Sequence, residues 1–203
     1  MKINIMAISL AALMSLASQI NAQPKKNIVN YLGISGPVII NKSAFQLIWS
    51  SHPNPSLYKQ EYLPTGDTFP NYQSMVTIDF VVSESTVDQA VAVKISELEQ
   101  LKKTGHDVNF EVIGNKTTGE KIVDCLIGQK AINGQESVIE RDVYRFKLAK
   151  AKSGEQGILL FAVSIRKYGK DIKPFLLKLK TDKPVLVSEI AKFQIPELTI
   201  LKK

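Results

Sequence analysis

Residues 137–168 read SVIERDVYRFKLAKA, KSGEQG and ILLFAVSIRKY, and they carry the densest run of β-branched and aromatic residues in the chain. The pattern predicts two long strands joined by a loop. The second strand is apolar on both faces, as expected for an interior strand covered from both sides. In the first strand Tyr144 and Phe146 alternate with Arg145 and Lys147, which indicates one buried face. We therefore expect this hairpin to lie inside a sheet that carries helices.

Other strands follow from the same period-two rule. They are predicted within residues 37–50, 58–63, 75–82, 108–113 and 121–127. The segment SHPNPSLY contains two prolines, so we expect it to be a loop rather than regular structure. The following PTGDTFPNY, which is rich in residues that favour turns, predicts a second loop.

Helices are predicted in mid-chain and near the C-terminus. The first begins after Ser85, with Asp88 in a capping-box position, and its apolar residues recur at helical spacing until a glycine ends it. Near the C-terminus the pattern predicts two shorter helices. Pro174 lies in the first turn of one, and Asp182 with Pro184 begins the other.

The order of these elements predicts an α+β fold. Strands outnumber helices and are joined by short turns, so we expect one mainly antiparallel sheet of about seven to eight strands, flanked by helices. Residues 37–203 would form this single domain, preceded by an extended lead-in at 23–36.

The N-terminus has the pattern of a secretory signal peptide. Lys2 precedes an apolar run, and the small residue Ala22 is followed by polar residues, so residues 1–22 are predicted to be cleaved after export. The protein would then be periplasmic or extracellular, with at most peripheral contact with a membrane. A membrane anchor is the alternative, although the apolar run is shorter than the ~20 residues that a spanning helix needs.

The order of a signal peptide, an N-terminal hairpin, a central helix, an antiparallel meander and a C-terminal helix resembles the PsbP-like and Mog-type α/β/α sandwich. The stretch EYLPTGDTFPNYQSMVTIDF, together with DVYRF and IRKYG, is also similar to small secreted bacterial proteins of that kind. The resemblance spans about residues 36–195. It implies an α/β/α sandwich and a non-enzymatic accessory or binding protein of the cell envelope or of an organelle lumen.

Positive charge is concentrated late in the chain. The net charge is +7, and residues 145–183 hold eleven Lys and Arg against three acids. Such a region attracts anionic partners, which makes the following four basic residues candidate binding residues: Arg145, Lys147, Arg166 and Lys167. A solvated surface that only confers solubility is the alternative.

Aromatic residues are concentrated in and beside the two predicted loops. Loops on a rigid scaffold often carry binding sites, and Trp and Tyr are typical contact residues. The candidates are Trp49, His52, Tyr58, Tyr62 and Tyr72. The alternative is that these rings only hold the loops against the sheet.

Motifs for catalysis, phosphate binding or metal binding are absent from the sequence, so no catalytic residue, metal or cofactor is predicted. The single cysteine, Cys125, is expected to be a buried core residue. A dyad of Cys125 with His52 or His106 remains as an alternative. Asp79 and Asp124 alternate with apolar neighbours and are expected to face solvent.

Together these patterns favour a secreted, non-enzymatic protein that binds an envelope protein or an anionic surface; a nucleic-acid partner is not expected. The alternatives are an immunity or inhibitor protein of the same compartment and a small hydrolase whose active site has no known motif.

Overall fold

The central feature of the fold is one antiparallel sheet of eight strands, seen in a computed structural model that describes residues 28–131 and 137–201. Two long helices accompany the sheet, so the predicted α+β class, the number of strands and the single domain are confirmed. The predicted signal peptide, residues 1–22, lies outside the described residues, as do the first residues of the predicted lead-in.

The strands follow one another in space as β1-β2-β3-β4-β8-β7-β6-β5. Each pair of neighbours is antiparallel, and the predicted central hairpin, β7–β8, lies inside the sheet, where it was expected. In chain order the strands are β1 (Val38–Ile40), β2 (Ser43–Asn54), β3 (Leu57–Pro64), β4 (Ser74–Val82), β5 (Asp107–Gly114), β6 (Lys121–Gln129), β7 (Val138–Lys150) and β8 (Gln156–Tyr168). The helices are α1 (Val87–Lys103) and α2 (Ile172–Lys192), and a single 3-10 turn, Gly169–Asp171, leads into α2.

The two helices pack on opposite faces of the sheet. Successive residues of β8 point to opposite faces, so Leu160 packs with the apolar side of α1 while Phe161 packs with Leu186 and Ile190 of α2. The sheet is curled, since Val38 at its far edge shares the core on the α2 face. Among the described residues, no helix has the length and apolarity that crossing a bilayer would need.

Helix α1 begins one residue later than predicted. Thr86, not Ser85, is the N-cap, and its hydroxyl accepts a hydrogen bond from the Gln89 amide at 3.2 Å. The Gln89 side chain accepts in return from the Thr86 amide at 2.9 Å, which completes a capping box without Asp88.

Helix α2 is one continuous helix, so the prediction of two shorter helices was wrong. Pro184 lies inside it and has no N–H to donate to the carbonyl four residues earlier. The helix continues because its second half is held against the sheet, where Leu186 and Ile190 are buried. Tertiary packing thus outweighs the local cost of the proline.

The segment SHPNPSLY is not a loop, which corrects a second prediction. Strand β2 extends to Asn54 and β3 begins at Leu57, so only a two-residue turn lies between them. Pro53 is tolerated in β2 because the pairing with β1 involves only residues 43–45 and the register with β3 is irregular between Ser51 and Asn54.

The end of the predicted lead-in is part of the core. Leu32 is buried, its N–H donates to Gln60 Oε1 at 2.8 Å, and its carbonyl accepts from the Thr199 amide at 3.0 Å. The Tyr62 hydroxyl donates to the Ile34 carbonyl at 2.7 Å. The segments that precede and follow the sheet and helices are thus tied to β3 and to each other.

At Gly157 the backbones of β4 and β8 lie so close together that there is no room for a side chain. A Cβ atom at this position would lie 1.9 Å from the Val81 carbonyl oxygen, so Gly157→Ala must push the two strands apart. We expect a loss of about 3 kcal/mol in the free energy of unfolding, measured by urea denaturation. The control is Gly114→Ala, where a Cβ meets nothing within 4 Å. Equal stability of the two variants would contradict this packing.

Candidate functional site beneath helix α2

Arg141 joins β7, β6 and α2. Its Nε and Nη2 donate to the two carboxylate oxygens of Asp124, both at 2.9 Å, and Nη2 also donates to the Lys183 carbonyl at 2.8 Å. The side chains of Arg141 and Asp124 are only 4% and 3% exposed. A charge pair this deeply buried requires close pairing and full hydrogen bonding. The contact therefore fixes the middle of α2 over the first half of β7.

Arg145, four residues further along β7, holds the C-terminal end of α2. Its Nη1 donates to the carbonyls of Ile190 at 3.0 Å and Phe193 at 2.7 Å, and its Nε donates to Glu120 Oε2 at 2.7 Å. Carbonyls at a helix C-terminus have no partner within the helix and carry partial negative charge. The buried Arg145 guanidinium supplies both a hydrogen-bond donor and a positive charge to these carbonyls.

The first half of α2 has no comparable attachment among the described residues. The only residues that α2 buries, Leu186 and Ile190, lie in its second half. Leu177, in the first half, is 56% exposed. The polar anchors from β7 and the two buried residues of α2 thus lie from Lys183 onward, while the residues of the helix before Lys183 are at most half-buried.

The space that this arrangement opens is a groove of about 490 Å³, which we call the α2 groove. Its apolar wall consists of Ile165, Pro174, Phe175, Leu179, Val185 and Leu186. Charged residues of both signs line the rest, namely Arg141, Lys167, Asp171, Lys178, Asp182 and Glu189. At one end the Asn41 amide of the β1–β2 turn donates to Glu189 Oε1. An apolar wall with a few polar groups is typical of a ligand site.

The four predicted basic residues do not share one surface. Side chains alternate along β7 and β8, so Arg145, Lys147 and Lys167 lie on the α2 face, while Arg166 lies on the α1 face. Arg166 is 7% exposed, pairs with Glu140, and lies 4.1 Å from the centre of the Tyr72 ring. The structure therefore does not bring the four residues into one basic patch.

The other members of the basic set also have protein partners. Arg145 is 8% exposed and is engaged with α2 and Glu120. Lys147 Nζ lies 3.7 Å from Glu120 Oε1, and Lys167 Nζ donates to Gln73 Oε1 at 3.0 Å. These contacts give the basic residues a structural role within the domain.

The predicted aromatic candidates are mostly packing residues. Trp49, His52, Tyr58 and Tyr62 lie on β2 and β3 rather than on loops, and only Tyr72 lies on the predicted second loop. The three tyrosines are buried, and the His52 ring stacks on Tyr58 with 4.1 Å between ring centres. Trp49 is 39% exposed. The structure thus supports the packing interpretation and does not bring the rings together as a contact patch.

Cys125 is buried, as predicted, and burial raises the pKa of its thiol well above the ordinary value. Neither proposed dyad forms. Four strands of the sheet separate β6 from β2, which carries His52. His106 precedes by four residues Phe110, the partner of Cys125, so it lies about 13 Å away along the strand.

The expectation that Asp79 and Asp124 face solvent was wrong: Asp124 is buried against Arg141 on the α2 face, and Asp79 belongs to a second polar cluster on the α1 face. Asp79 is 3% exposed, with Lys59 Nζ at 3.5 Å, and Asp142 is 1% exposed. Lys94 of α1 lies 4.6 Å from the centre of the Tyr144 ring and donates to Glu97. Burial raises the pKa of Asp79 and of Asp142. Within the described residues no cluster of three or more potential metal ligands occurs.

Arg141 was not predicted from the sequence, and the buried partner of Asp124 was not recognised because Asp124 was expected to face solvent. The available signal was an acid between apolar neighbours on β6, Asp124 between Val123 and Cys125, and a base inside the next predicted strand, Arg141. The spacing of Phe175 and Leu179 is typical of an apolar helix stripe, but it does not show whether such a stripe is fully packed or only partly covered, so the groove was not predicted.

The buried Arg141–Asp124 pair predicts an asymmetric mutational result. Arg141→Met leaves the Asp124 carboxylate buried without its partner, so we expect a loss of about 3 to 5 kcal/mol in the free energy of unfolding. In the double variant with Asp124→Leu, an apolar pair replaces the ion pair, and we expect most of that loss to be recovered. Urea denaturation measures both. If the loss of unfolding free energy in the double variant equalled the sum of the losses in the two single variants, the two side chains would not depend on each other.

Glu61 on β3 predicts a pH dependence of stability. Burial raises its pKa from 4.5 to about 7, and the nearby Asp79 carboxylate adds to the rise. The folded state therefore holds this proton more tightly than the unfolded state. The stabilisation that comes from this tighter proton binding at Glu61 is complete below pH 4.5 and is lost as the pH rises through 7.

Glu61→Gln should remove this dependence, since the amide stays neutral. At pH 8 the variant is expected to be more stable than the natural chain by about 2 to 3 kcal/mol, with little difference at pH 4.5. Urea denaturation at the two pH values tests this. Glu84→Gln, at an exposed position, is the control. The same change for Glu61→Gln at both pH values would refute the proton linkage.

The chain matches one protein family when it is compared with known proteins. A protein-family model matches residues 32–195, a range that includes all eight strands and both helices. No curated protein and no solved structure matches the chain. Since the match covers well over half of the sequence, the chain belongs to the protein family defined by this domain.

Proposed function

We propose that this chain is a non-enzymatic binding protein of the cell envelope, which holds an apolar segment of a partner protein in the α2 groove. The observation that carries the proposal is the groove itself. It has an apolar wall, a mixed charged lining, and a helix whose described hydrogen bonds to β7 all lie in its second half. Its volume of about 490 Å³ is in the range of ligand sites.

The lining favours apolar side chains as the occupant. Six apolar residues line the space, five from α2 and one, Ile165, from β8. Charges of both signs lie around them, which suits the polar backbone and mixed side chains of a polypeptide better than a uniformly anionic surface. The separation of Arg166 from the other three basic residues also weakens the case for an anionic surface.

The compartment and the family-level fold belong to the same proposal. We propose that residues 1–22 export the chain to the periplasm or the cell exterior, based on the charged start, the apolar run and Ala22. We also propose the α/β/α sandwich of the PsbP-like and Mog type. The placement of α1 and α2 on opposite faces of the sheet supports it. An experimental structure with both helices on one face would contradict this arrangement.

Two substitutions on α2 separate the groove from the rest of the helix. Val185→Asp places a charge in the apolar wall, while Leu177→Asp places the same charge on the same helix outside the groove. Both positions are exposed, so both variants should fold. The tagged full chain and each variant are used to capture partners from envelope extract, and captured proteins are identified by mass spectrometry.

We expect one protein to be captured by the natural chain and by Leu177→Asp, and to be lost with Val185→Asp. Capture should persist at high salt, because apolar contacts are not weakened by ionic screening. Retention of the partner by Val185→Asp, or its loss with both variants, would exclude the groove as the binding site. Capture that disappears at high salt would favour a charged surface instead.

A further inference from the structure

The two edges of the sheet differ in how they end. At one edge β1 has three residues and follows directly on Pro37, whose ring has no N–H to donate. At the other edge β5 has eight residues, paired without interruption with β6 from Asp107 to Gly114. No described strand pairs with the outer side of β5. One edge is short and the other is long and open.

The hydrogen bonds of β5 show which groups point outward. The Asn115 amide donates to the Glu120 carbonyl at 2.9 Å, so this pair closes the β5–β6 turn. Backbone groups alternate in direction along an antiparallel strand. The backbone N–H and C=O groups of every second residue before Asn115 therefore point toward β6. The backbone groups that point outward, away from β6, belong to Val108, Phe110, Val112 and Gly114.

Apart from the acidic residues Asp107 and Glu111, strand β5 lacks the devices that usually block such an edge. Its sequence, DVNFEVIG, contains no lysine and no proline, and its register with β6 shows no bulge. Val112 and Ile113 are 41% and 39% exposed. Exposed apolar residues on a regular edge are typical of strands that pair with another chain.

We propose that β5 pairs antiparallel with β5 of a second copy of this chain, about a two-fold axis through Phe110. This register places Phe110 opposite Phe110 and Val108 opposite Val112, which joins the apolar residues of the two copies on one face. On the other face Asn109 lies opposite Glu111, an amide beside a carboxylate, and Ile113 lies opposite Asp107. In this register the outward N–H and C=O groups of one copy lie opposite the outward groups of the other copy along the whole pairing, so they can form hydrogen bonds.

Other registers fit less well. An axis through Glu111 would place two identical carboxylates directly opposite each other, which is unfavourable. An axis through Val112 would pair only residues 110–114 of the strand, whereas the axis through Phe110 pairs residues 107–113. The favoured dimer therefore uses almost the whole edge and combines like apolar residues without opposing like charges.

The proposed dimer is separate from the proposed function. No residue of β5 lines the α2 groove, so either proposal can fail without the other. The dimer would join two sheets edge to edge into one continuous sheet. Each of its subunits would keep its own α2 groove.

The first test is sedimentation velocity of the purified full chain and two variants. Val112→Pro removes an N–H that points away from β6, so the fold is kept while the ladder to the second copy is blocked. Val112→Thr keeps that N–H and is the matched control. We expect a dimer for the natural chain and for Val112→Thr, and a monomer with unchanged circular dichroism for Val112→Pro. A monomeric natural chain, or a dimeric Val112→Pro, would overturn the proposal.

The second test fixes the register by oxidative cross-linking. Phe110→Cys places two thiols opposite each other, with Cα atoms about 5.5 Å apart, within reach of a disulfide. Val112→Cys in the same register separates the two thiols by about 14 Å along the strands. The natural Cys125 is buried and should not react. We expect covalent dimers from Phe110→Cys only. Equal cross-linking of both variants, or cross-linking of Val112→Cys alone, would contradict the axis through Phe110.

Discussion

The buried contact of Arg141 with Asp124 and the Lys183 carbonyl is the constraint on which the α2 side of the molecule depends. An arginine inside a strand would be costly to bury alone, but here its fork is matched by a carboxylate on the neighbouring strand and by a helix carbonyl. With Arg145 four residues further on, β7 presents two guanidinium groups to one helix. The orientation of α2 is thus set by polar contacts, while Leu186 and Ile190 supply the apolar burial.

The same arrangement explains why a groove exists. All described polar anchors from β7 reach α2 at or beyond Lys183, and the two buried residues of the helix also lie beyond it. Pro184, just after the first anchor, removes one backbone hydrogen bond between the two halves of the helix. The first half is therefore held less firmly than the second. Phe175 and Leu179 of this half are only half-buried and form part of the wall of the groove.

The sequence allowed much of the sheet to be predicted, because strand signals are local. The alternation in ILLFAVSIRKY, residues 158–168, needs no knowledge of its neighbours to indicate a strand covered on both faces. Pairing between strands is not local, so Asp124 looked exposed until the register placed it beside Arg141. Arg145 looked like a surface charge for the same reason. Proline signals also misled at Pro53 and Pro184, where tertiary packing outweighs the local preference.

The central claim is that α2 is anchored from Lys183 onward and is loosely held before it. Hydrogen–deuterium exchange of the full chain, followed by mass spectrometry of peptides from α2, tests this most directly. Both segments compared, residues 176–182 and 185–192, lie past the first turn, where helix amides are hydrogen-bonded. The account predicts that amides of 185–192 exchange about tenfold or more slowly than those of 176–182. Uniform protection along the helix, or slower exchange in its first half, would contradict it.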